Sequence, residues 1–81
     1  MLTKYYVESG PNLKTIVLAH DEMDAIVTAI TRKYEDEGAL KLADLMIVNE
    51  RGFVWDREEH ELYGDEFVLP TRLVLGMPEA K

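Results

Sequence analysis

Only one stretch of this chain carries a helical repeat over several turns. Between Asp21 and Gly38, the residues Met23, Ile26, Val27, Ile30 and Tyr34 recur at spacings of three and four. In a helix of 3.6 residues per turn that spacing lines them along one side. Asp24, Thr28, Thr31, Arg32, Glu35 and Asp36 fall mostly off the stripe. Asp21 is placed to cap the start, with Glu22 and Asp24 in the first turn, where the helix dipole favours negative charge. Gly38 stands where a left-handed C-cap is wanted. An amphipathic helix of this kind needs an apolar surface to cover, and the remaining segments are short and extended. The expected architecture is therefore α+β: a small antiparallel sheet of about four strands with the 21–37 helix across one face.

The strands follow in order. Lys4 to Glu8 is rich in tyrosine and valine, as strands are. Ser9-Gly10-Pro11-Asn12 is a turn cluster, and Leu13 to Ala19 reads as the returning strand of a hairpin. The continuous apolar run Ile16-Val17-Leu18 suits a strand covered on both faces or next to the sheet centre. After the helix, Ala39 to Ala43 reads as a connector or a helical extension. Leu45 to Val48 is the most apolar run and the best candidate for a central strand. Asn49-Glu50-Arg51-Gly52 has the composition of a hairpin loop built on a type I turn, with Gly52 in the left-handed position. Phe53-Val54-Trp55 would be the returning strand, with Phe53 and Trp55 on one face. The polar residues 56–66 read as the mobile part of the chain. Phe67-Val68-Leu69 is apolar again and Pro70 ends it. For Thr71 to Leu75 a short helix begun at Thr71 and an edge strand fit equally well, giving β-β-α-β-β plus a short C-terminal element.

One domain is expected of 81 residues. No run approaches the roughly 20 apolar residues of a membrane span, and MLTKYY has no signal-peptide character. A location in the cytoplasm is the expectation, with no membrane contact. The chain has no cysteine, which removes disulfides, thiolate metal sites and cysteine nucleophiles and is compatible with a reducing compartment. Net charge is −7 and the nine basic residues are scattered along the sequence. Proteins that grip a phosphate backbone cluster their cations instead, so direct nucleic-acid binding is not expected.

Catalytic motifs fail on inspection. Ser9 is the only serine and lacks the G-x-S-x-G frame. There is no glycine-rich phosphate loop. His60-Glu61 opens like the zincin motif, but Gly64 stands where its second histidine belongs. Asp56, Glu58 and His60 align with the start of an EF-hand loop, yet Glu61 replaces the needed glycine and Phe67 the bidentate glutamate. No cofactor and no metal is implied. His20, just before the helix, faces three acids that would repel an anion, so a role in starting the helix is the simpler reading.

What remains is a concentration of acid. Asp56, Glu58, Glu59, Glu61, Asp65 and Glu66 surround a single cation, Arg57, with His60 among them. Such a run is ordinarily a solvated loop. Flanked by Trp55 and Tyr63, which can supply apolar anchors, it also suits a basic protein partner. All six acids are expected to lie exposed, since a small core cannot compensate so many buried charges. The expected function is a non-enzymatic interaction or regulatory protein whose partner-binding residues are Trp55, Asp56, Glu58, Glu59, His60, Glu61, Tyr63, Asp65 and Glu66. Two alternatives stand beside it: a homodimeric structural module pairing through exposed strand edges, and a small enzyme using carboxylates and His60.

Overall fold

A computed structural model describes residues 1–38, 42–59 and 61–76. Strands β1 (Thr3–Ser9), β2 (Leu13–Ala19), β3 (Leu45–Asn49) and β4 (Phe67–Pro70) form one antiparallel sheet in the order β2-β1-β3-β4. Helix α1 (Glu22–Glu37) covers one face, and a short helix α2 (Thr71–Gly76) follows β4 directly. The α+β architecture is the expected one, and 71–76 takes the helical alternative. No helix among the described residues is long and apolar enough to cross a membrane.

The hairpin β1–β2 pairs from Thr3↔Ala19 to Ser9↔Leu13 around the turn at residues 10–12. Ser9 is wholly buried; its hydroxyl accepts the Ala43 amide at 2.9 Å and donates to the Leu45 carbonyl at 2.9 Å. It thereby ties the hairpin to the start of β3, which lies inside the sheet as expected. β2 differs from expectation: it is an edge strand covered on one face only. Leu13, Val17 and Ala19 point under α1, while Ile16 and Leu18 stand exposed on the other side. A continuous apolar run therefore marks neither two-sided cover nor a central place here.

Helix α1 starts with reciprocal capping. Asp21 Oδ1 accepts the Asp24 amide at 2.8 Å, and Asp24 Oδ2 accepts the His20 amide at 3.0 Å. Gly38, at φ 70°, closes it with its N–H donated to the Tyr34 carbonyl. The buried face is rotated from the expected stripe by roughly one residue position, about 100°. Ala25, Ile26 and Ala29 are buried, with Met23 and Ile30 packed at the margin, whereas Val27 and Tyr34 are exposed. The two alanines let the helix backbone approach the sheet, where Tyr5, Val7, Leu13, Val17, Met46 and Val48 meet it and Val74 of α2 closes the end. Close approach along an alanine seam buries more of the shared surface than a larger but protruding stripe would.

The chain after β3 departs most from expectation. No hairpin joins β3 to residues 53–55. Asn49 Oδ1 instead accepts the amides of Arg51 (2.8 Å) and Gly52 (3.0 Å), turning the chain out of the sheet. Gly52 has a positive φ, but at 143° rather than in the left-handed helical region expected of a hairpin turn, and that conformation strains any L side chain. Val54–Asp56 is then a single 3-10 turn rather than a strand. The strand that pairs with β3 comes later, as β4, in the register Val48↔Phe67 to Leu45↔Pro70. The described residues between 50 and 66 therefore form an excursion between two paired strands. The connector expected at 39–43 lies mostly outside the described residues.

Candidate functional site

Two buried carboxylates organise the excursion. Glu8 is on the sheet face that α1 leaves uncovered, opposite Lys14 and Ile47, yet it is only 2 % exposed. Its carboxylate accepts the Val54 amide through Oε2 and the Trp55 amide through Oε1 at 3.0 Å. The 3-10 turn is thus pinned onto the open face by a β1 side chain. Such charge-assisted bonds to backbone amides are among the stronger ones a protein makes. Around it, Phe53 meets the Tyr6 ring edge-on at 5.2 Å, and Lys14 pairs with Asp56.

The second carboxylate is Glu66, expected at the surface and found with its side chain 1 % exposed. One oxygen accepts the Tyr63 amide (3.0 Å) and Arg57 Nη1 (2.8 Å), the other the Gly64 amide (2.9 Å). Burial alone pushes this carboxyl up. The donors from Tyr63, Arg57, Gly64 and its own amide outweigh that and hold it down at about 2, against an ordinary 4.5. A carboxylate held that low has no proton to give near neutrality. Arg57 also bonds the Glu61 carbonyl and lies 3.7 Å from the centre of the Tyr63 ring, which Arg51 approaches from 4.8 Å. Arg51 in turn pairs with Asp65 at 2.6 Å. Residues 57–59 and 61–66 are thus wound around one internal ion pair, Arg57–Glu66. A lone cation inside an acidic run was the sequence signal for such a pair.

The expected site residues divide accordingly. Glu66 is internal. Asp56 and Asp65 are exposed but paired, with Lys14 and Arg51. Glu58, Glu59 and Glu61 are exposed, and no ion pair among the described residues holds them. Trp55 and Tyr63 are 44 % and 59 % exposed, joined by Leu62 at 49 %. His60 lies outside the described residues. The loop therefore presents three exposed carboxylates and three large, largely apolar side chains from one anchored scaffold. Glu8, which pins that scaffold to the sheet, carried no signal in the sequence beyond its residue type. Among the described residues no three carboxylates or histidines gather as metal ligands. Comparison of the chain with protein-family models, curated proteins and solved structures found no match to any of them.

Proposed function

We propose that this chain is a non-enzymatic interaction protein that presents the acidic, partly apolar loop 55–65 to a basic protein partner. The observation that carries this reading is the coincidence of exposed carboxylates at Glu58, Glu59 and Glu61, held by no ion pair among the described residues, with exposed Trp55, Leu62 and Tyr63 on one anchored loop. Charge of one sign steers an oppositely charged partner over about one Debye length, roughly 8–10 Å at ordinary salt. Exposed aromatic groups supply the short-range energy that screened charge lacks. The anchors at Glu8 and Glu66 lower the ordering cost of binding. A net charge of −7 favours protein over nucleic acid as the partner, and a cysteine-free chain fits action in the cytoplasm.

The test is a titration with an oligolysine peptide, read by the fluorescence of Trp55, the single tryptophan. Binding should weaken about tenfold or more between low and physiological salt. The triple variant Glu58→Gln/Glu59→Gln/Glu61→Gln should weaken it similarly while leaving the melting temperature almost unchanged, because exposed charges contribute little to stability. Binding that ignores both salt and the triple substitution overturns the reading. Capture from the native host then identifies the partner.

A second reading, homodimerisation through the sheet edge, is favoured by one observation. β2 is paired on one side only, and its outward residues Ile16 and Leu18 are exposed.

A further inference from the structure

The two edges of the sheet are unlike. β4 is four residues long, ends at Pro70 and runs straight into α2. A short strand ended by proline is a poor template for another chain. β2 is seven residues long and pairs with β1 through all seven without a bulge. It holds no proline or glycine, and its single charge, Lys14, is taken up by Asp56. Proline, bulge and unpaired charge, the devices that keep an edge from pairing, are thus all absent from it. On the sheet face away from α1 it also exposes Ile16 by 47 % and Leu18 by 58 %.

The charges beside this edge run head to tail. A groove between β2 and α1 is lined by Leu13, Lys14 and Thr15 from the strand and by Arg32, Lys33 and Asp36 from the helix. The groove fixes which side of α1 looks over the edge. Asp21, Ala25 and Thr28 lead up to Arg32 at spacings of four, three and four, so they share that side. The Leu13 end of the edge therefore has two helix cations against one acid. At the Ala19 end, β2 passes at once into Asp21 and the first turn of α1, where Asp21 to Asp24 holds three acids and no lysine or arginine. A second strand laid parallel would set like ends together. Laid antiparallel, it sets the cationic end of each copy against the acidic end of the other.

We infer that β2 pairs antiparallel with β2 of a second copy about a two-fold axis at Ile16, joining two sheets into one of eight strands with both α1 helices on the same face. The inference rests on the sheet-edge reading and deepens it by fixing the register; it is independent of Glu58, Glu59 and Glu61. Opposed residues of an antiparallel pair point to the same face, so such an axis passes at a residue and not between two. Ile16 is the middle residue of Leu13–Ala19. It is the one centre at which all seven residues find partners, Leu13 with Ala19 and Lys14 with Leu18. Ile16 then lies against its own copy and Leu18 against the aliphatic stem of Lys14, so the exposed apolar residues of the edge cover one another. Arg32 of each copy comes to the end of the edge where Asp21 of the other starts its helix.

The chain has no cysteine, so single introduced cysteines report the register. Lys14→Cys, Ile16→Cys and Leu18→Cys, all on the exposed face of β2, are oxidised in a glutathione redox buffer, alone and mixed in pairs. Covalent dimer is read on a non-reducing gel. Directly opposed residues of an antiparallel pair have Cα atoms about 4.5–5.5 Å apart, within reach of a disulfide. Ile16→Cys should link to itself, and Lys14→Cys should link to Leu18→Cys while neither links to itself. If Ile16→Cys links instead to Lys14→Cys or to Leu18→Cys, the edges pair about Thr15 or Val17; the inference then fails and the sheet-edge reading stands. Equal linking of every combination marks random collision and overturns the inference. No linking, with the parent chain a monomer in light scattering at every concentration, overturns both. In the cysteine-free chain, Arg32→Glu should raise the dimer dissociation constant about fivefold or more in sedimentation equilibrium, with the melting temperature of the dilute protein almost unchanged. An unchanged constant overturns the matching of the helix ends.

Discussion

Glu8 on β1 accepts the backbone amide of Trp55 at 3.0 Å, across 47 positions of sequence. That contact joins the sheet to the loop proposed to meet the partner. Glu8→Ala removes the acceptor of two buried amides and should destabilise the fold by about 2–4 kcal/mol. Urea unfolding measures the loss. The native-state fluorescence of Trp55 should also move towards that of a solvated indole, while Glu8→Gln, which keeps one acceptor oxygen, should fall in between.

The Glu66 carboxyl gives the stability a defined acid dependence. Its folded-state value of about 2 lies below its ordinary 4.5. The unfolded chain therefore takes up its proton first as pH falls. The stabilisation is fully present above about pH 5 and is lost progressively as pH drops from there towards 2. Glu66→Gln should remove that part of the acid slope and cost about 1–3 kcal/mol at neutral pH through the lost charge-assisted bonds. Melting temperatures of the two proteins between pH 2 and 7 decide it; parallel curves would show that Glu66 is not the group titrating.

The rotated face of α1 predicts an asymmetry between neighbours. Ile26→Ala should cost about 2–5 kcal/mol, whereas Val27→Ala, at an exposed position, should stay within about 0.5 kcal/mol. Ala25→Leu should destabilise by roughly 1–3 kcal/mol, because a wholly buried seam position takes added carbons only by shifting its neighbours. Similar losses at 26 and 27 in chemical denaturation would contradict the orientation of the helix.

The exposed edge of β2 sets the prediction for self-association. If copies pair along it, light scattering should give a symmetric dimer at high concentration. Ile16→Lys, which adds an outward charge beside that edge, should shift the protein to monomer without lowering its stability. A monomer at every concentration removes the dimer reading and leaves the loop as the functional surface.

Features decided within a few residues were legible in the sequence. Asp21, Asp24 and Gly38 bound the helix because capping is satisfied by atoms three or four positions away. The 10–12 turn and the β1–β2 hairpin follow from adjacent residues in the same way. Gly52 announced its positive φ, and the apolar run at 45–48 its place inside the sheet. Tertiary contacts decided the rest, because each depends on which distant surface a residue meets. Ala25 and Ala29 face the sheet in preference to Val27 and Tyr34 because fit against β1 and β2, not side-chain hydrophobicity alone, selects the helix face. Phe53–Trp55 did not become a strand because β3 already pairs with β1 and β4. Glu66 is inside because Arg57 and two backbone amides meet it there, and Glu8 because the 3-10 turn brings it two more. Residue type sets what burying a carboxylate costs, but only the folded chain supplies the donors that offset it.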